Sequence, residues 1–295
     1  MSTRRPLDAP RGDGAAHAPA APTHGVRHLL RTCGAYARLH AVDDVSYPLA
    51  LGLKIVALVV PLFAFYFVGM LVDTPPDDTS LGSDYFTFVA LGIAVVAVIG
   101  TAVVGFGQRL QQLQQQGSIE TLLIEPAPWT VLPVAMNVWP AALGTATCGL
   151  VLGLAGVMGA QLSLAGLPAF LGVLALGMAA SASVGILSAS LLILAKRSDP
   201  VVQLYRVVAP LLGGAMFPLE LLPGWLLPVS YLLPHTYLIA GARHTLMATP
   251  PTSGPDLATS LLGLAVFATV GVGLALWLFH RSLRYARRVG LLGSY

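Results

Sequence analysis

Charge is what this sequence has least of. Asp, Glu, Lys and Arg make up 10% of its 295 residues, against 56% hydrophobic residues and a mean hydropathy of +0.77. A soluble domain of ordinary composition is about a quarter charged, so this balance excludes one and indicates an integral membrane protein. Lysine is nearly missing: Lys54 and Lys196 are the two in the chain, neither preceded by glycine, which excludes a Walker P-loop. Nucleotide cofactors, ATP and Mg included, are therefore expected on a partner and none on this chain. Of the two cysteines, Cys33 lies near the N-terminus and Cys148 inside an apolar run, which argues against a disulfide and against a thiolate metal site. Neither a G-x-S-x-G elbow nor an H-E-x-x-H zinc motif occurs, and His235 with His244 is too loose a pair for a metal. No catalytic residue is expected, and the chain is not read as an enzyme. The apolar runs also lack Asp, Glu and His in relay positions, which weakens a proton- or sodium-coupled mechanism. The net charge of +3 and pI near 9.0 do not indicate nucleic acid, because the basic residues sit at the edges of apolar runs.

What the sequence does contain is a series of apolar runs. Residues 1–25 read as a flexible tail rich in Ala, Pro and Arg, with no apolar run. From 26 to 41, Val26, Leu29, Leu30, Cys33 and Ala37 fall at helical spacing opposite Arg27, Arg31 and Arg38, as in a helix lying on the membrane surface or a solvated connector. Spans are expected at 49–72, 85–107, 134–160, 168–195, 200–215 and 257–279. Lys54 is the single charge of the first, one turn from its end, where it can snorkel to the interface. Pro61 is expected to kink that helix, and Phe63, Phe65, Tyr66 and Phe67 crowd its far half. After the second span, Gln108 to Gln116 continue a polar helix that Gly117 stops. Ser118 then caps a short helix with Glu120 at its N-terminus, Ile119, Leu122 and Leu123 on its apolar side, and Pro126 at its end. Residues 242–256 read as a polar connection, and 281–295 as a basic tail.

One stretch breaks the pattern. Between Phe217 and Tyr237, Pro218, Pro223, Pro228 and Pro234 interrupt apolar sequence every five or six residues, so no single helix runs through it. Irregular backbone at membrane depth survives only inside protein or against a water-filled cavity. A re-entrant hairpin with its tip at Pro223-Gly224 satisfies this, as does a loop lying at the interface. Insertion scales place about 2.5–3.5 kcal/mol on an Asp at the bilayer centre, so the similar Glu220 is expected to face water or a partner. Orientation follows from the basic residues. Arg4, Arg5, Arg11, Arg27, Arg31, Arg38, Arg109, Lys196, Arg197, Arg281, Arg284, Arg287 and Arg288 fall on one set of connections, and Arg243 alone on the other. The positive-inside rule puts both termini in the cytoplasm and the aspartate-rich loop at 73–84 outside, together with the broken hairpin.

Gly117-Ser-Ile-Glu-Thr-Leu-Leu-Ile-Glu-Pro126 resembles the G-[ST]-x-E-x-L-L-x-x-P loop of type-2 ATP-binding-cassette (ABC-2 type) export permeases. Phe217-Pro-Leu-Glu-Leu-Leu-Pro-Gly-Trp-Leu226 resembles their F-P-x-x-x-L-P-x-W-L segment. The run of glutamines before Gly117 and Glu125 before the proline depart from the usual pattern. The resemblance covers about 26–288. It implies an all-α membrane domain of six transmembrane helices, with a surface helix before the first, a cytoplasmic coupling helix, and an outer re-entrant hairpin between the fifth and sixth. It further implies that Gly117, Ser118, Ile119, Glu120, Leu122, Leu123 and Pro126 dock on an ATP-binding-cassette ATPase subunit, and that Met216, Phe217, Glu220, Pro223 and Trp225 lie at the outer gate or path. A second permease copy and membrane lipid would complete the assembly, in the cytoplasmic membrane of a prokaryote. The expected cargo is an amphipathic or lipid-like compound (drug, natural product or lipid), the alternative a polysaccharide or glycolipid. A secondary transporter or channel independent of ATP is the reading from another class.

Overall fold

The computed structural model describes residues 31, 33–38, 41, 42, 46, 48–71, 84–115, 131–195 and 199–289. All regular structure among them is helical, with one isolated antiparallel bridge between Leu162 and Met247. Residue 31 and residues 33–38 are helical, with Cys33 buried and Arg31 and Arg38 exposed.

Helix α1 (Pro48–Leu71) opens on a proline, whose missing N–H costs nothing in a first turn, and carries Pro61 inside. Helix α2 (Tyr85–Gln115) is capped by Asp84, whose carboxylate accepts from the Thr87 N–H and, at 2.9 Å, from the Thr87 hydroxyl. That hydroxyl accepts in turn from the Gln161 N–H at 2.8 Å, tying the start of α2 to the connection after α3. Helix α3 (Val131–Val157) stops where Gly159 adopts a φ of +101°, earlier than the expected 160. The Ala160 N–H then closes on the Ala155 carbonyl at 2.9 Å. After a 3-10 turn at Leu164–Gly166 comes α4 (Leu167–Ala195), rich in Gly, Ala and Ser. Its buried Ser183, Ser188 and Ser190 donate to carbonyls of their own helix at 2.6–2.9 Å, so these hydroxyls cross the apolar layer satisfied.

Helix α5 (Asp199–Leu212) has 14 residues, about 21 Å at 1.5 Å each, against a hydrocarbon layer of about 30 Å. The chain cannot complete a crossing on α5 alone. A corner follows at Gly213 to Ala215, with Gly214 at φ +70° and the Ala215 N–H bonded to the Pro210 carbonyl at 3.0 Å. Beyond it lie a 3-10 turn (Leu219–Leu221), the short α6 (Leu227–Tyr231) and α7 (Pro234–Leu246). The last long helix runs as α8 (Leu257–Val266), a π turn at Phe267–Gly271 and α9 (Val272–Val289).

The core sits where α2, α4 and α7 meet, around Phe88, Leu91, Leu174, Leu238, Ile239 and Leu264. Every residue of α7 except Tyr237 and His244 is buried. This corrects the reading of 242–256 as a polar connection: its first five residues end the most buried helix, and the connector begins only at Met247. The polar side chains there suggest exposure, yet each is satisfied by backbone. The Thr245 hydroxyl donates to the Gly241 carbonyl at 2.9 Å, and Arg243 donates to carbonyls of other elements.

Among the described residues, four helical stretches are long and apolar enough to cross a membrane: Pro48–Leu71, Ala135–Val157, Leu164–Leu191 and Leu257–Tyr285, with a shorter apolar helix at Tyr85–Thr101.

Candidate functional site: the proline-rich end of the bundle

The expected ATPase-docking residues Gly117, Ser118, Ile119, Glu120, Leu122, Leu123 and Pro126 lie outside the described residues. Helix α2 runs without a break to Gln115, two positions before the first of them in the sequence. The expected gate residues are all described, and they lie between the corner after α5 and α6.

Met216 and Phe217 are half-buried directly after that corner. Leu219 turns inward, while Glu220 and Leu221 face outward. The chain then reverses through a turn closed by the Leu226 N–H on the Pro223 carbonyl at 2.8 Å. Pro223, Gly224 and Trp225 are exposed at its tip. The returning arm is pinned to α5 by a buried hydroxyl pair. Ser230 Oγ donates to the Leu212 carbonyl at 2.5 Å, and Thr236 Oγ1 donates to the Ser230 carbonyl at 2.6 Å. The first of these bonds occupies a C-terminal carbonyl of α5 that has no partner within its own helix.

Glu220, expected to face water or a partner, is exposed and has a partner within the chain. Its Oε1 accepts the Gly254 N–H at 2.8 Å, so the carboxylate ties the first arm to the connector before α8. Gly254 has φ +84°, a left-handed conformation that glycine adopts without strain and that presents its N–H to the carboxylate. The same connector is held by His244 Nε2, 3.2 Å from the Pro255 carbonyl, and it ends at Asp256, the N-cap of α8. The bond from Thr259 to the Asp256 carboxylate holds that group below the usual carboxylate range. Its capping is therefore complete at neutral pH and is lost as acid protonates it. Glu220→Gln keeps the shape and weakens the acceptor. The expected result is faster amide exchange at Gly254 with little change in the amount of folded protein, checked by hydrogen–deuterium exchange. Unchanged exchange at Gly254 would show that the contact carries no weight.

Two polar contacts at this end escape a reading of the sequence. Tyr205 on α5 places its hydroxyl 2.8 Å from His235 Nδ1 on α7, ring edge against ring face, and the second imidazole nitrogen is buried with no partner among the described residues. Arg243 is buried, 5% exposed, with its guanidinium 3.3 Å from the centroid of the Phe88 ring. Its Nη2 donates to the Phe88 carbonyl at 3.1 Å and to the Ala215 carbonyl at 2.9 Å. The available signal was its position within Leu238-Ile-Ala-Gly-Ala-Arg-His-Thr-Leu246, a lone arginine in an apolar stretch. His235 and His244 serve separate contacts, and the described residues hold no cluster of metal-ligating side chains.

The aromatic residues of α1 divide between two roles. Tyr66 packs edge-on against Phe86 with centroids 5.3 Å apart, whereas Phe63 and Phe67 face outward. A shallow cleft of about 220 Å³ opens at the ends of α1, α2 and α3, lined by Tyr66, Tyr85, Phe86 and Met158 among others. Cys33 and Cys148 are both free thiols.

Residues 46–247 match the family model described as ABC-2 type transporter. The chain belongs to the ABC-2 type transporter family. No individual curated protein matches it. The match takes in both sequence segments that carried the resemblance and ends on Met247, directly after α7. As an ABC-2 permease the chain is a multi-pass membrane protein of transport, and membership implies pairing with an ATP-binding-cassette subunit. The proline-rich end, with its broken backbone satisfied by Ser230, Thr236, Glu220 and Arg243, belongs to the membrane domain itself.

Proposed function

We propose that this chain is the permease subunit of an ATP-driven exporter, with both termini cytoplasmic in a prokaryotic inner membrane. It moves an amphipathic or lipid-like compound outward through six spans. The observation that carries this reading is the family match over 46–247 in a chain that has no P-loop of its own. The chain itself catalyses nothing and holds no cofactor; ATP and Mg are bound by two separate ATPase subunits. α5 supplies the fifth span together with the corner and hairpin that continue it.

Two copies of the permease form the path. Helix α1 supports this, since Leu49, Leu53, Val56, Val60, Phe63 and Phe67 are exposed along it and need lipid or a second chain against them. The packing of Tyr66 on Phe86 supports a lipid-like cargo over a glycan, because it removes one ring from any sugar-stacking face at 63–67. Cargo uptake into inverted vesicles tests the function. It should require ATP hydrolysis by the partner, and collapse of uptake with ionophores instead would identify a secondary transporter.

Orientation has its own test. In a chain freed of Cys33 and Cys148, cysteines at Ser80 and Ser253 are expected to react with an impermeant thiol reagent on intact cells, and one at Ser198 to stay unlabelled. Labelling at Ser198 from outside would reverse the topology.

A further inference from the structure

Every hydrogen bond that Arg243 makes among the described residues goes to a carbonyl oxygen. Nε and Nη2 reach Phe88 at 3.3 and 3.1 Å, and Nη2 also reaches Ala215 at 2.9 Å. Ala215 closes the corner after α5, and Met216 and Phe217 follow it directly. The same carbonyl lies so close to α2 that a Cβ on Gly92 would stand 2.0 Å from it. The corner is therefore pressed onto α2 at a bare glycine and held there by a cation that belongs to neither element.

We propose that Arg243 is a latch: from α7 it fixes the corner at 213–215 against α2 and so sets the closed position of Met216 and Phe217. It is a positioning residue, touching no cargo. That these two side chains close the path extends the outer-gate role that the family resemblance implies for them, and the latch rests on it.

The chemistry suits a contact that must open and re-form. A guanidinium paired with a buried carboxylate would be difficult to separate, since parting them leaves two uncompensated charges. With carbonyl partners, water entering an opened path can replace each acceptor, and stacking on Phe88 keeps the guanidinium plane in place. Arginine can bridge two elements because its donors form a rigid planar fork. A lysine ammonium is a point donor on a flexible stem and would hold one carbonyl at a time.

The test compares Arg243→Gln, Arg243→Lys and Gly92→Ala in the full chain in nanodiscs by hydrogen–deuterium exchange. Loss of the latch should speed exchange of the amides at 213–222 at least tenfold in Arg243→Gln and less in Arg243→Lys, leaving α4 and α8 unchanged. Gly92→Ala, which wedges the corner off α2 while Arg243 is intact, should reproduce the local rise. Unchanged exchange at 213–222, or loss of folded protein in both Arg243 variants, would reduce Arg243 to a packing residue and overturn the proposal. Leak of trapped carboxyfluorescein from proteoliposomes without ATP then separates the two readings. Faster exchange with raised leak supports latch and gate together. Faster exchange without leak supports the latch and refutes the gate assigned to Met216 and Phe217.

Discussion

Glu120→Lys is expected to abolish ATP-driven export while leaving the permease folded in the membrane. Its physical basis is the sequence between Gly117 and Pro126, which would let Ser118 cap a short helix, place Glu120 near its N-terminus and give Ile119, Leu122 and Leu123 a common apolar side. A helix of this kind can seat its apolar side in a groove of the ATPase while the carboxylate meets a basic residue there. Breaking one side of a desolvated charge pair costs about 3–5 kcal/mol, and reversal adds repulsion. At about 1.4 kcal/mol per tenfold, association should weaken by at least roughly a hundredfold. Co-purification of the ATPase with the permease measures this directly, and transport should fall with it. Glu120→Gln, which removes the charge but not the shape, should fall between parent and reversal. Full transport and cargo-stimulated ATPase activity in Glu120→Lys would show the segment to be a solvated loop.

Much of the helical layout can be read in the sequence, because in a membrane long apolar runs and their breakers carry most of the information. The run expected at 168–195 is helix Leu167–Ala195, and that expected at 49–72 is Pro48–Leu71. Pro223-Gly224 sits at the exposed reversal of the broken segment. What periodicity could not reveal is where polar residues go when backbone satisfies them. Arg243, His244 and Thr245 look like the start of a polar connection, but α7 buries Arg243 and Thr245 and half-buries His244, because carbonyls of neighbouring elements and of α7 itself partner them. Glu220 is expected to face water or a partner, and the partner is an N–H that the left-handed turn at Gly254 places against it. The pairings of Arg243 with Ala215 and Phe88 and of Glu220 with Gly254 join residues 28 to 155 positions apart, and no local pattern encodes them. The π turn at Phe267–Gly271 is equally silent, since one extra residue in a helical turn leaves the hydropathy of the run unchanged.

Gly166→Ala should be the most damaging substitution of a single methyl group in the described structure. Gly166 ends the 3-10 turn that leads into α4, and a Cβ there would stand 1.6 Å from the Thr245 carbonyl of α7. Neither side can yield easily. The Ser163 N–H donates to the Leu246 carbonyl at 2.7 Å, and Leu162 pairs with Met247, so the entry to α4 and the end of α7 are clamped together directly beside the clash. Relief requires moving backbone by more than an ångström, which breaks these bonds at about 1 kcal/mol each and adds an overpacking cost of about 1–3 kcal/mol. The yield of folded, detergent-stable protein should fall at least tenfold, by size-exclusion of equal amounts of membrane. Gly172→Ala is the matched control within α4, since nothing lies within 4 Å of a Cβ there. Alanine is the better helix former by about 1 kcal/mol, so that variant should be neutral or slightly more stable. Because α7 also carries Arg243 and His235, the Gly166→Ala protein that does fold should show faster amide exchange along the whole of α7 rather than at the corner alone. Equal yields from the two glycine variants would mean that the approach of α4 to α7 is looser than the structure places it, and the support of the proline-rich end would have to come from α2 alone.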